Sequence, residues 1–309
     1  MTRTKVVFGF FLLGVLFLSA CTTTTTTSSV VGAYVGCNGD DTQMVTAAFA
    51  DFATVSSETS PYQAGDDIDT EVVLINKNTQ DIDSGKVKVR LTGDAAIDSI
   101  FSGAHEESAD TLYAIDPETC LEQDTEVSLG PIVYQGDITT DISKEITGLY
   151  CYEAPVVVKG YLYFTTNADE IGETLPTGSN PPSSVQVTQI EQNPVDINSG
   201  ESSGTMRFKI YLQNVGTGTI VSGLDNCFEY RDAGYREEFS LSVDEVHAYD
   251  ISCPSDVKLS RGEKTDVITC TVTGIDSTNL GSQASEVTIT LNGFAYEDTI
   301  PSTTVWLSP

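Results

Sequence analysis

Residues 200–204, Gly-Glu-Ser-Ser-Gly, match the G-x-S-x-G spacing that lifts a serine on a sharp turn for nucleophilic attack, with Ser202 as the attacking group. That chemistry needs a strand-to-helix turn, a histidine to take the proton and an acid to orient it. Ser202 instead sits in a Ser- and Gly-rich stretch before a strand-like pattern, and the chain holds two histidines, His105 and His247, both in acidic irregular stretches. Catalysis there is not expected. H-E-x-x-H, P-loop and G-x-G-x-x-G patterns are absent too, so the chain is not read as an enzyme and no cofactor is expected. Alternating acids offer oxygen ligands to a hard cation such as calcium: Asp66, Asp67, Asp69 and Glu71; Asp81 and Asp83; Asp196, Asn198 and Glu201. None completes a twelve-residue loop with Gly sixth and Glu twelfth. Acidic turns that cap strands are the expected reading.

Cysteine is the residue type with the clearest spacing. Of seven, Cys21 stands apart near the amino terminus, which leaves an even set of six. Cys120 and Cys151 are equidistant from Gln135-Gly136, and Cys253 and Cys270 from Arg261-Gly262. If each Gly marks a reversal, the spacing predicts bridges Cys120–Cys151 and Cys253–Cys270 across neighbouring strands. Cys270 is in phase with Ile268 and Val272 and should point inward. Cys37 and Cys227 stay unassigned: they could pair with each other or between molecules, or Cys227 could join Cys253. Close C-x-x-C spacing is absent, so disulfides are expected rather than a metal.

The position of Cys21 has its own meaning. Arg3 and Lys5 precede an almost uninterrupted apolar run, Val6 to Ala20, shorter than the roughly 20 residues a membrane span needs. This is the pattern of a signal peptide, residues 1–20. Leu18-Ser19-Ala20-Cys21 resembles the lipobox of secreted lipoproteins, in which the Cys thiol takes a lipid and becomes the first mature residue. Two acyl chains on one Cys make a durable anchor where a single chain binds marginally. Residues 21–41 begin with a Thr/Ser tract that buries almost nothing and should be a disordered tether, open to O-glycosylation. No Asn-x-Ser/Thr sequon is present.

The elements that must position these residues read as strands. Val, Ile, Thr and Tyr are frequent, Ser and Thr crowd the connections, and helical periodicity is missing, which predicts an all-β protein. Val87, Val89 and Leu91 alternate with Lys86, Lys88 and Arg90; Met206, Phe208, Ile210 and Leu212 alternate with Arg207, Lys209, Tyr211 and Gln213. A period of two marks strands with one buried face. Pro and Gly at 177–183 suggest a linker between halves 42–176 and 184–309, similar in their order of elements. About seven short strands per half is what a β-sandwich requires, and each half is large enough to fold alone. The acidic stretches 93–119 and 222–250 are longer than that fold needs and are the expected contact surfaces.

"VVLINKNTQDIDSGKVKVRL" and "FKIYLQNVGTGTI" resemble the strand, Asn, Gly-containing turn, strand opening of CARDB-like immunoglobulin-fold repeats. "VKLSRGEKTDVITCTV" resembles their later Leu-x-x-Gly-Glu turn, which the first half lacks. The whole resembles lipobox-bearing surface lipoproteins of small-genome archaea. The resemblance implies two tandem immunoglobulin-like sandwiches on a lipid anchor, displayed outside the cytoplasmic membrane for adhesion, for binding a protein or glycan, or for envelope scaffolding. The alternative is a lipid-anchored solute-binding or hydrolytic module with its site in the acidic stretches. A formal charge of -30, from 45 Asp and Glu against 15 Lys and Arg, repels nucleic acid and anionic lipid. It serves solubility, or adaptation to high salt. Oligomeric state is left open.

Overall fold

The structure is a computed structural model, and it describes residues 37, 41–50, 57–229, 237–244, 249–254, 256–259 and 265–309. These form β-strands joined by turns and short 3₁₀ segments, with no α-helix among the described residues. The strands of the first half are β1 (Val45–Phe49), β2 (Tyr62–Gln63), β3 (Asp67–Asn76), β4 (Val87–Gly93), β5 (Phe101–Ser102), β6 (Glu106–Ser108), β7 (Asp124–Tyr134), β8 (Ile142–Tyr152) and β9 (Val156–Tyr163). Those of the second half are β10 (Val185–Gln192), β11 (Ser203–Asn214), β12 (Thr219–Val221), β13 (Glu237–Val243), β14 (Asp250–Ser252), β15 (Asp256–Leu259), β16 (Asp266–Asp276), β17 (Ala284–Asn292) and β18 (Ala295–Ser308).

Four sheets result. The first runs β1-β3-β7-β5; the second β12-β18-β8-β4-β6, with β2 beside the far end of β18; the third β10-β11-β16-β14; the fourth β15-β13-β17-β9. All pairs are antiparallel except β2 with β18. The first two sheets meet where β1 lies against β18 and β6 against β7, and the last two where β10 lies against β9 and β15 against β16. The expected alternation fills the interior: Val87, Val89 and Leu91 of β4 and Met206, Phe208, Ile210 and Leu212 of β11 are all buried. Each half uses its strands in the same chain order, so β1, β3, β4, β5, β6, β7 and β8 hold the places that β10, β11, β13, β14, β15, β16 and β17 hold in the other.

The sheets do not respect the boundary at 177–183. The last strand of each half lies in a sheet of the other: β9 pairs with β17, Val156 opposite Leu291 and Tyr163 opposite Ala284. Likewise β18 pairs with β8, Tyr296 opposite Tyr152 and Leu307 opposite Ile142. Together β8-β9 and β17-β18 make one long antiparallel ribbon running through both sandwiches. Local chemistry explains half of this exchange. For β9 to fold back on β8, Glu153-Ala154-Pro155 would have to be a three-residue hairpin loop, which needs a left-handed residue, usually Gly. Proline also keeps the residue before it extended, so the chain runs straight on.

Most of the supposed linker, from Ser179 on, is interior. Ser179 to Val187 are buried without a break. Ser183 N–H donates to the Asp41 carbonyl at 2.9 Å, Ser184 Oγ to the Thr42 carbonyl at 2.8 Å and Gln186 Nε2 to the Asp41 carbonyl at 2.9 Å. The start of one half thus docks on the start of the other. The acidic stretches also differ from the expectation of surplus loops: 93–119 contains β5 and β6, which close one side of the first sandwich, and 222–250 contains β13, which pairs on both its edges.

Candidate functional site

Each half ends its second major strand with an asparagine that closes the next turn in the same way. Asn76 Nδ2 donates to the Gln80 carbonyl at 2.8 Å, and its Oδ1 accepts from Asn78 N–H at 2.9 Å. Asn214 Nδ2 donates to the Gly218 carbonyl at 3.1 Å, and its Oδ1 accepts from Gly216 N–H at 3.1 Å. Both side chains are buried. A strand end without these amide bonds would strand four polar groups, the physical content of the Asn-turn motif in the two quoted segments.

Near Asn214 the ribbon carries a polar cluster. Gly218 N–H donates to the Tyr296 hydroxyl at 2.6 Å, Thr217 Oγ1 donates to Asp298 Oδ2 at 3.0 Å, and Tyr150 donates to the Val45 carbonyl at 2.9 Å. Burial pushes the Tyr296 phenol up to about 12 and raises Tyr150 and Tyr152 as well. These phenols are neutral structural donors and acceptors at any ordinary pH.

The disulfides are Cys37–Cys120, Cys151–Cys227 and Cys253–Cys270. The last is the pair expected from spacing, with Cys270 fully buried: β14 and β16 are neighbours, Ser252 stands opposite Thr271, and Cys253 follows. Cys120 and Cys151 are not joined. Their midpoint does mark a reversal, but β7 and β8 on its two sides belong to different sheets, so equal spacing does not bring the pair together. Cys120 sits in a tight turn with φ 55°, where its N–H donates to the Asp116 carbonyl at 2.7 Å. Asp116 Oδ1 accepts from Glu118 and Thr119 N–H, and these bonds hold its carboxyl below the usual range.

Cys151–Cys227 builds a second small apolar cluster with Val221 and Ala295, flanked by Leu224 and Phe228. Because Tyr150 and Tyr152 face the main core, Cys151 between them faces outward. Segment 222–228 leaves β12 and crosses the outer face of the second sheet. Leu224 accepts from Lys88 Nζ at 3.4 Å, Phe228 N–H donates to the Glu297 carboxylate, and the Arg90 guanidinium lies 6.0 Å from the Phe228 ring centre. The alternation on β4 assigned Lys88 and Arg90 to a polar face; that this face carries a strap left no sign in the sequence beyond an unassigned Cys227.

The acids read as calcium candidates do not converge. Asp67, Asp69 and Glu71 lie on exposed positions of β3, where alternate residues are about 7 Å apart along the strand. Asp66 caps its own turn, accepting from Gln63 N–H at 2.8 Å. Asp81 accepts from Ala114 N–H at 2.7 Å; it lines, with Asp83, a cavity of about 140 Å³ shared by Lys86 and Glu153, which pair at 2.9 Å. Asn198 Nδ2 donates to Glu201 at 3.1 Å, and Asp196 bridges by its backbone to Thr205. Among the described residues no three His, Cys, Asp or Glu side chains group as a metal site would require. Ser202 leads into a strand rather than a helix, and its carbonyl accepts from Ser277 N–H at 3.0 Å. His105 lies in the loop before β6, its Nδ1 3.2 Å from Asp98. Cys21 and His247 lie outside the described residues.

Two surfaces could meet a partner. Ile97, Tyr113 and Leu121 are large apolar side chains exposed in or beside the acidic stretch 93–119. At the end of the second sandwich a groove of about 1090 Å³ is lined by Asn279, Ser282, Gln283, Ser285 and Glu286 beside Phe164 and Tyr249, whose rings meet edge to face at 5.0 Å. Comparison with models of protein families, with curated proteins and with solved structures found no match.

Proposed function

We propose that this chain is an exported, lipid-anchored surface protein that recognises another surface protein or a glycan. The carrying observation is the use of cysteine. Six of the seven are consumed in three disulfides, the chemistry of an oxidising compartment, and the one left over is Cys21 in Leu-Ser-Ala-Cys. No helix among the described residues is long and apolar enough to cross a membrane, and in this reading the anchor is the lipid on Cys21. The amides, hydroxyls and carboxylate of the groove in the second sandwich suit sugar hydroxyls, and the exposed Tyr113 and Leu121 of segment 113–121 suit a protein.

Mass spectrometry of the mature amino terminus tests the anchor: Cys21 is expected to carry lipid, and an unmodified chain starting elsewhere ends that reading. The lipid-free chain on a glycan array and in pull-downs from surface extracts tests recognition. A carbohydrate hit lost in Gln283→Ala points to the groove. A protein partner lost in Tyr113→Ser points to the first sandwich, and no binding to either class sinks the recognition reading.

A further inference from the structure

We propose that β18 is an exchangeable strand held in its own chain by the Cys151–Cys227 strap. With the strap open, the slot between β8 and β12 accepts residues 295–308 of a second copy of this chain. The inference goes beyond the anchor reading and does not depend on it.

Topology makes the strap. The sheet order is β12-β18-β8, Cys227 follows β12, and Cys151 is on β8 opposite Glu297. A covalent bond from beyond β12 to β8 must therefore cross β18. It does so on the outer face, over Ala295 and Glu297, while the sandwich core holds Tyr296, Ile300, Val305 and Leu307 from the inner face. The strand is caught between bond and core.

The slot is specific for the sequence it holds. Beyond apolar alternation it presents Gly218 N–H to the Tyr296 hydroxyl and Thr217 Oγ1 to Asp298. A merely apolar strand would leave the half-buried Gly218 N–H without its partner and would lose the Thr217 bond, so a foreign peptide is penalised and the same segment from a second copy is not. Every contact of β18 is reproduced when copies exchange strands, which makes exchange a low-cost route to a dimer. The connection Asn292-Gly293-Phe294 supplies the hinge, with Gly293 at φ 78°. Opening the strap takes two electrons and two protons from a small thiol reductant; Cys151 and Cys227 become thiols and the reductant leaves as its own disulfide.

The test uses the full chain with Leu149→Cys and Thr299→Cys, opposite each other on β8 and β18, so that an added disulfide reports whose β18 fills the slot. With the strap present, refolding under oxidising conditions should give a monomer on a non-reducing gel. With Cys151→Ser and Cys227→Ser added, covalent dimer should rise with protein concentration, at least tenfold over the strapped chain. A strapless chain that stays monomeric at every concentration, or a strapped chain that dimerises equally, overturns the proposal. Should the strapless variant fail to fold, the native chain under mild thiol reduction is followed by amide exchange. Residues 296–307 should lose protection at least tenfold relative to β11 and β16, and equal protection counts against the proposal.

Discussion

The two crossovers of the ribbon, Glu153-Ala154-Pro155 and Asn292-Gly293-Phe294, do the same job with opposite local preferences. The first cannot reverse the chain. The second contains Asn-Gly, the strongest short hairpin signal there is, yet β17 runs on into β18 rather than folding back. The difference teaches which crossover decides. Once proline sends β9 away to β17, β8 has an unfilled edge and β17 has a filled one. A β18 that folded back on β17 would find that edge taken, and the buried face of β8 would stay open. Ten residue pairs between β18 and β8 outweigh one turn preference.

The largest effect should come from breaking the strand that fills the open edge. Tyr296 is 1% exposed, and Tyr296→Ala removes an aromatic ring from the core and the acceptor of Gly218 N–H. A cost of about 3–5 kcal/mol in urea unfolding is expected. Its counterpart on the other exchanged strand, Val158→Ala at 0% exposure, should cost roughly 2 kcal/mol. If the two cost the same, β18 is not the strand on which the first sandwich depends.

Strands were legible where one face meets the core, because a period of two survives in the side chains: β4 and β11 are where the pattern put them, and Cys270 points inward with Ile268 and Val272. Pairing partners were not legible, because "VVVKGYLY" carries no mark of which edge it will join. The same blindness produced Cys120–Cys151, since equal spacing about a Gly says where the chain turns and not that it turns into another sheet. Pro and Gly at 177–183 suggested a linker for a sound local reason, yet residues 179–183 are buried. Their burial comes from the docking of Asp41 and Thr42, a contact between residues some 140 positions apart. Of the contact surfaces, the strap over Lys88 and Arg90 was hidden for the same reason.

Smaller changes sharpen the comparison between the halves. Asn76→Ala and Asn214→Ala each remove three bonds made by a buried amide, about 2–3 kcal/mol apiece, and the matching turn geometry predicts matching costs. Each sandwich also borrows a strand from the other half, so both variants should shift one shared calorimetric transition. Two resolved transitions, each moved by one variant, would show that the halves unfold separately despite the exchange. The smallest effect concerns the hinge. A Cβ on Gly293 would meet nothing closer than Ser240 Oγ at 3.8 Å, so space is not the issue; φ 78° is. Gly293→Ala should therefore cost about 1–2 kcal/mol, the left-handed penalty, and Gly293→Asn distinctly less, because asparagine tolerates that conformation. An asparagine as costly as alanine would mean that the crossover demands smallness after all, and that the second hinge is as constrained as the first.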